Sequence, residues 1–493
     1  MYKPTIGLEI HAELKTKTKM FCGCANPSAS SGQVSSASSG QVENQPNVNV
    51  CPVCLAHPGT LPTANKKAIE FVLKLGLALG GEISKISKFD RKNYFYPDLP
   101  KGYQISQYDQ PFVLGGKLNG IKITRIHLEE DTARLLHANS DSLVDFNRAG
   151  VPLMELVTEP DIKSSKEAVN FAKEFQLILR YLDVSDADME HGQMRVEANV
   201  SISKNREFGV KVEVKNLNSF RAVEEAIDYE IKRQEEVLEK GGKVVQETRG
   251  WDENKKITVS QRLKEESHDY RYFPEPDLPP FDLTDKNFID IDKLKSEIPE
   301  LPGEKRERLK REFGLNSEQA EIFTEDRELA RYFEESVSEF DTELRGLNTE
   351  LRGQSIQLIY NYLASDIKGY LNEKGINIDK LNITPENFAD LIVLIIKGEI
   401  SSRVAKDLIK EMALTGVDPR QIISEKGLSQ ISDEGEIKKI IEEIILKNPT
   451  AVADYKGGKQ NVLQFLIGQV MKILKGRANP ELLKKLFAES LSR

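Results

Sequence analysis

Four cysteines, one tryptophan and six histidines are all that this 493-residue chain holds of those residue types, and none lies beyond His268. No apolar run reaches the length of a membrane span, which excludes a bundle of transmembrane helices. The opening MYKPTIGLEIHAEL lacks the basic, apolar and small-residue regions of a secretory signal. It is also not Arg- and Ser-rich like a transit peptide, so a cytosolic location is expected. Excess positive charge is missing as well. The formal net charge is −9, whereas proteins that bind nucleic acid without selectivity are usually basic overall. No Gly-x-x-x-x-Gly-Lys-Ser/Thr loop and no Gly-x-Gly-x-x-Gly turn occurs, which removes the two commonest glycine-rich phosphate cradles. No Gly-x-Ser-x-Gly elbow and no Cys/His nucleophile pair emerges either. What remains is ordinary globular composition, 39% hydrophobic and 30% charged, with length for two to four domains.

The text changes along the chain. Up to about residue 290 it mixes strand and helix signals. Beyond about Lys295 it becomes Leu, Ile, Lys and Glu at helical spacing, as in Pro302–Phe313, Ser317–Phe340 and Pro480–Leu491. The Pro-dense segment Pro274–Pro280 suits neither a helix nor a central strand, and reads as the exit from the first domain. Gly398–Ser402 reads as a second boundary. The expected fold class is therefore α+β, with domains at 1–293, 294–405 and 406–493. Ser164-Ser-Lys-Glu167 is a capping box and predicts a helix through Leu182. Ala29–Val42, in which SSGQV occurs twice, cannot bury apolar area and is expected as a flexible loop. Residues 450–493 carry eight Lys/Arg against three Asp/Glu. That basic tail is either a solvated face or a patch that steers a polyanion.

All four cysteines fall between Cys22 and Cys54, as Cys22-Gly-Cys24 and Cys51-Pro-Val-Cys54. Paired knuckles of this kind suit tetrahedral thiolate coordination of a structural zinc ion, because four thiolates leave no open position for catalysis. A disulfide pair and inert buried thiols are the alternatives, the first disfavoured in a cytosolic compartment. His57 and His137 have no evident partner and read as structural.

Three strands alternate. In Ile6–Glu13 the residues Ile6, Leu8 and Ile10 share one face, and Glu9, His11 and Glu13 the other. Met194–Ile202 puts Arg195, Glu197, Asn199 and Ser201 on its polar face. Phe208–Lys215 is read with Phe208, Val210, Val212 and Val214 apolar, and Lys211, Glu213 and Lys215 polar. The last two strands are close enough for an antiparallel hairpin. Such a face is either an ordinary solvated sheet with cross-strand ion pairs, or a nucleotide site. Magnesium takes hard carboxylate oxygens, and a triphosphate takes Lys and Arg. Further acids lie in Arg125–Asp131 and Val151–Glu155. Lys88–Asp98 interleaves aromatic and basic residues, which suits either contact with an RNA end or a half-buried loop.

Long stretches resemble the B-subunit family of glutamyl-/aspartyl-tRNA amidotransferases. They include Ile6–His11, Lys88–Pro97, Tyr103–Gln107, Val144–Arg148, Glu159–Asp161, Lys215–Phe220, Gln246–Arg249 and Asp269–Asp277. Asp454–Gly457, Gly468–Lys472 and Lys475–Pro480 match the family's tail. The likeness covers essentially the whole chain. It implies a cradle of the glutamine synthetase and guanido kinase type, followed by all-helical domains with a tRNA-binding tail. It implies ATP and Mg²⁺ as cofactors, with zinc structural. Implied partners are an amidase subunit that frees ammonia from glutamine, a small third subunit, and mischarged tRNA, with no membrane. The implied reaction is carbon–nitrogen ligation with glutamine as amido donor. ATP phosphorylates the side-chain carboxylate of Glu or Asp on tRNA, and ammonia displaces the phosphate. On that likeness Glu9, His11, Glu129, Glu155 and Glu213 are expected as catalytic residues and metal ligands. Cys22, Cys24, Cys51 and Cys54 are expected to hold zinc, and Arg91, Lys92, Arg195, Lys211 and Lys215 to meet phosphate or the acceptor end. A non-catalytic subunit that only presents tRNA, and a stand-alone ligase making a small amide, are the competing readings. The Ser/Gly repeat inside the cysteine clip is longer than the family pattern, with all four thiols kept.

Overall fold

The structure, a computed structural model, describes residues 2–27, 45–138, 141–205, 207–263, 270–343, 349–428, 434–457, 459, 461–474 and 478–491. The Ser/Gly repeat at 29–42 lies outside them. The chain forms two compact units, Met1–Pro302 and Gly303–Arg493.

The first unit is built on a ten-stranded sheet. From one edge the order is Ile257–Leu263, Glu247–Asp252, Val212–Leu217, Met194–Ser203, Lys3–Glu13, Pro152–Thr158, Ile121–Glu130, Val113–Leu114 and Glu82–Ile83, with Lys117–Leu118 beside Ile121–Glu130. All pairs are antiparallel except that of Val212–Leu217 with Glu247–Asp252, so the sheet is mixed. Period-two alternation decides its two faces. Ile6, Leu8 and Ile10 are fully buried, as are Val196, Ala198 and Val200 next door. The helices Lys66–Ala78, Ser165–Tyr181 and Phe220–Glu239 contribute to the same apolar core and leave the opposite face of the sheet to polar side chains.

Helix Ser165–Tyr181 starts as expected. The Ser164 hydroxyl accepts from the Glu167 N–H at 3.2 Å. The Glu167 carboxylate reaches back one residue further than a strict capping box, to the Lys163 N–H at 2.7 Å. The strand expected from Phe208 begins only at Val212; Phe208 is 73% and Val210 44% exposed. Apolar alternation there runs on beyond the end of the ladder. The Pro274–Pro280 segment is not an exit. Phe273–Pro274 pairs with Asp90–Asn93, and Phe281–Asp282 pairs with Ile86–Ser87. Proline is tolerated because these are two-residue edge pairings. Helix Ile291–Ser296 then packs on Lys66–Ala78, so the first core extends past 293 to Leu301.

The second unit is helical, as its composition implies. Pro302–Phe313 and Pro480–Leu491 are helices with the expected bounds. Ser317–Phe340 is broken at Asp326, which is extended and whose carboxylate accepts from the Leu329 N–H at 3.0 Å to start the next helix. Two apolar cores are present, one from Leu309 to Ile423 and one from Ile437 to Leu491. Ile400, Val404 and Ala405 join the first of these with Leu394. Gly398–Ser402 is therefore a tight turn between helices of one core, and the break between cores comes after Leu428.

The edge hairpin Glu247–Leu263 is tied down by a buried carboxylate. Glu230, fully buried on helix Phe220–Glu239, accepts from Arg233 at 2.6 and 2.9 Å, from Gln234 at 2.9 Å and from Thr258 at 3.0 Å. Removing one partner of a buried pair leaves the other charge uncompensated. Glu230→Ala is expected to cost about 3–5 kcal/mol, read as a lowered urea midpoint. A loss below about 1 kcal/mol would show that the hairpin does not depend on this contact.

Candidate active site

Strand register brings the polar residues into rows. Arg195, His11, Glu155 and His127 lie opposite one another on four adjacent strands. The next row holds Glu197, Glu9, Val157 and Arg125, and the row on the other side holds Glu13, Leu153 and Glu129. Asn199 faces Glu213 across the next pair. The small sheet Phe273–Pro274, Asp90–Asn93 and Tyr103–Ser106 closes one side. Its Ser106 hydroxyl donates to Glu129 at 2.9 Å, and the Ile105 N–H donates to Glu130 at 3.0 Å. Between these layers is a cavity of about 350 Å³, whose lining includes Glu9, His11, Lys92, Glu129, Glu155 and Arg195.

Two groups within it could hold a metal ion. His11, Glu129 and Glu155 each offer one ligand atom within 4.8 Å of the others, and so do Glu9, Glu197 and Glu213. His11 Nε2 lies 3.2 Å from Glu155 and 3.7 Å from Glu129; His127 Nε2 lies 3.3 Å from Glu155. Burial opposes charge on all of these groups, but each holds the other ionised. Glu155 and Glu129 overcome burial and raise the His127 pKa to about 9, and they raise His11 as well. In return, His127 and Lys92 outweigh burial at Glu129 and lower it to about 2, and His127 and His11 hold Glu155 well below the usual carboxylate range.

Glu9 is different. Burial, then Glu155 and Glu197, push its pKa up. Its carboxylate accepts from Asn199 Nδ2 at 2.8 Å. Lys215 serves Glu197 at 2.8 Å and Glu213 at 3.4 Å, and the Thr248 hydroxyl donates to Glu213 at 2.6 Å. This corner is short of positive charge. Among the described residues three buried side-chain polar atoms lack a partner, and two of them, Asn199 Oδ1 and Asp98 Oδ1, belong to the site or its lining. An all-carboxylate set beside the unmet Asn199 oxygen suits a hard divalent cation.

The expected residues therefore separate. Glu9, His11, Lys92, Glu129, Glu155, Arg195 and Lys215 line one cavity, with Glu213 at its edge through Glu9 and Glu197. Arg91 is not part of it. Its guanidinium grips Glu275 at 2.7 and 2.8 Å and lies 4.3 Å over the Tyr103 ring, so it pins the 273–277 segment. Lys211 is exposed ahead of its strand and does not line the cavity. One buried residue of the cluster escapes the sequence reading. His127 is buried and shares the face of Arg125 and Glu129; alternation along Arg125–Glu129 is the available signal. Glu197, already placed on the polar face of Met194–Ser203 by its sequence, completes the all-carboxylate trio.

The cysteines form a separate group. All four sulfurs lie within 4.8 Å of one another, and Cys51 and Cys54 are 3.8 Å apart. Zn–S bonds of about 2.3 Å in a tetrahedron put the sulfurs about 3.8 Å apart. The Cys51 N–H donates to Cys54 at 3.1 Å. Lys19, fully buried, places Nζ 3.8 Å from Cys54, 2.9 Å from the Asn49 carbonyl and 3.3 Å from the Phe146 carbonyl. A hydrogen bond from Cys22, then the Cys51 N–H and after it Lys19, bring Cys54 down to about 4 against burial. The set could hold a metal such as zinc.

The fold and site define a catalytic domain of a known kind: residues 4–289 match the GatB/GatE catalytic domain, and 349–491 match the GatB domain. The B subunit of the aspartyl/glutamyl-tRNA(Asn/Gln) amidotransferase of Thermoanaerobacter sp. (strain X514) is 47% identical, over 100% of both chains. Those of Persephonella marina and Brevibacillus brevis are 46% and 45% identical, over 99% or more of each chain. The chain belongs to the family of B subunits of tRNA-dependent amidotransferases, which are ligases. Among the described residues no helix is long and apolar enough to cross a membrane.

Metal analysis of the purified chain is expected to find one zinc per chain, lost in Cys54→Ser. Lys19→Met is expected to weaken its retention against a chelator by about 10–100-fold. Absence of zinc from the wild-type chain would leave the thiols as packing groups.

Proposed function

We propose that this chain uses ATP to phosphorylate the side-chain carboxylate of glutamate or aspartate esterified to a mischarged tRNA, and then lets ammonia displace the phosphate. A carboxylate resists attack because its charge repels a nucleophile. Transfer of the γ-phosphoryl group to a carboxylate oxygen, with ADP leaving, removes that obstacle. Nitrogen then bonds to the acyl carbon, and phosphate departs as the carbon–oxygen bond breaks. The observation that carries this reading is the convergence of five glutamates, two histidines and several cations on one sheet face, enclosed by a second small sheet.

In this reading Glu9, Glu197 and Glu213 hold one Mg²⁺, and His11, Glu129 and Glu155 a second ion. Mg²⁺ there would neutralise charge on the phosphoryl oxygens during transfer. Arg195, Lys215 and Lys92 bind anionic groups of ATP and substrate, while the small sheet over the cavity excludes water that would destroy an acyl phosphate. Glutamine-derived ammonia comes from an amidase partner, and a small third subunit completes the assembly. Relatives named as subunits support that assembly. We place the complex in the cytosol and a structural zinc at the four cysteines. The tail, whose core spans Ile437–Leu491, is assigned to tRNA. Of the eight basic residues of 450–493, Lys456, Lys459, Lys472, Lys484 and Lys485 are exposed; the other three lie outside the described residues.

In the reconstituted complex Glu9→Gln is expected to lower ATP-dependent amide formation by roughly 10²–10³-fold while tRNA binding is kept. Unchanged activity would leave the chain a presenting scaffold. Amide formation on a free small acid, without tRNA, would favour the stand-alone ligase. Reversing the five tail lysines to Glu is expected to weaken tRNA binding at least about tenfold and flatten its salt dependence. Unaltered affinity would remove the tail from the interface.

A further inference from the structure

Four tyrosines stand in ring contact along the rim of the carboxylate cavity. Tyr108 stacks on Tyr272 with centroids 4.4 Å apart and planes 12° from parallel. Tyr272 meets Tyr270 edge-on at 6.3 Å, and Tyr270 meets Tyr94 at 5.8 Å. The inner three line the cavity together with Glu9, His11 and Glu155. The outer one, Tyr108, does not, and is 59% exposed.

A cluster of aromatic rings is usually core. This one is not. The aromatic core of the unit is Phe21, Phe89, Phe112 and Phe281, and none of the four tyrosines belongs to that apolar cluster. The row is nevertheless held in place. The Asn93 N–H donates to the Tyr270 carbonyl at 2.9 Å, and Asn93 Nδ2 donates to the Arg271 carbonyl at 2.7 Å. The backbone that carries Tyr270 and Tyr272 is thereby bound to strand Asp90–Asn93. Where the row meets the acids, Lys92 lies 5.2 Å over the Tyr270 ring. Rings outside the core with a cation beside them are what single-stranded nucleic acid uses to stack and neutralise its backbone.

We propose that Tyr108, Tyr272, Tyr270 and Tyr94 are a stacking track for the unpaired 3′ end of the aminoacyl-tRNA, leading its terminal ribose to the carboxylate cavity. The inference rests on the proposed substrate and adds how it is received. The reacting carboxylate is only a few bonds from the terminal ribose, so the terminal base must lie at the cavity mouth, where the tyrosines are. Four rings in contact are more than the single adenine of ATP needs, and stacking accepts any base.

The test uses the complete reconstituted complex and the exposed outer ring, which lies outside both the apolar core and the cavity lining. Tyr108→Ala and Tyr108→Leu are expected to raise KM for aminoacyl-tRNA by about 5- to 150-fold. In both, kcat and KM for ATP stay unchanged. Tyr108→Phe keeps the ring and is expected to keep the wild-type KM. An unchanged KM for tRNA in Tyr108→Ala overturns the track. So does a Leu variant as good as Tyr, which would mean apolar contact without stacking. A rise in KM for ATP instead would give the rings to the nucleotide and equally overturn it. A wild-type complex that forms no tRNA-linked amide overturns the proposed function and the track with it. An active wild type with an indifferent Tyr108→Ala overturns the track alone.

Discussion

Crowding like charges onto one side of a sheet is the constraint around which the first unit is arranged. Glu9, Glu129, Glu155, Glu197 and Glu213 cannot all be ionised side by side in a half-buried cleft without compensation. The chain supplies part of it internally: His11 and His127 interleave with Glu155 and Glu129 by register, and Lys215 bridges Glu197 and Glu213. The compensation is uneven. It is complete enough to depress Glu129 and Glu155, and too little to keep Glu9 from rising. That corner, Glu9 with Glu197 and Glu213, could hold a cation.

Holding such a face requires the other face to be immovable. A slip of one residue would turn every side chain over. Ile6, Leu8 and Ile10 would then enter the cleft, and Glu9 and His11 the core. The apolar set of strand Lys3–Glu13 is fully buried against helices, and both of its long neighbours pair with it in antiparallel register. The free energy that fixes the polar rows therefore comes from the opposite side of the sheet. Burial of those aliphatic side chains, each worth about 1.5–3 kcal/mol, outweighs the repulsion they hold together.

This division explains what the amino-acid text discloses. Alternation is a local property, so the two faces of Lys3–Glu13 and Met194–Ser203 are legible directly, as is the Ser164 helix start. Spacing also gathers the four cysteines. Register across strands is not local. His127 meets Glu155 only because Ile121–Glu130 pairs with Pro152–Thr158, and nothing in either segment states that pairing. Arg91 misleads for a related reason. A basic residue in an aromatic stretch has the chemistry of a phosphate ligand, but Glu275, far along the chain, claims it first. The Pro274–Pro280 segment and the Gly398–Ser402 turn carry strong breaker residues, yet breakers mark turns, not domains. Whether a turn divides cores depends on the side chains beyond it, such as Ile400 and Val404.

The cysteine group lies apart from the cavity and still bears on it. Four thiolates around a divalent ion carry two net negative charges, and burial makes that charge costly unless something positive stands nearby. Lys19 is a fully buried ammonium that donates to a thiol and two backbone carbonyls, with no carboxylate among them. Each is the answer to the other's desolvation. One of those carbonyls belongs to Phe146, two residues before Arg148, which bridges Glu13 and Asp131. Asp131 in turn receives Arg195 at 3.4 Å, at the end of the row that holds His11 and Glu155. A clip that fixes Lys19 therefore fixes the 146–150 turn, and with it the cation at one end of the cleft. By this route a metal held at the four cysteines would bear on the geometry of a cavity it does not line.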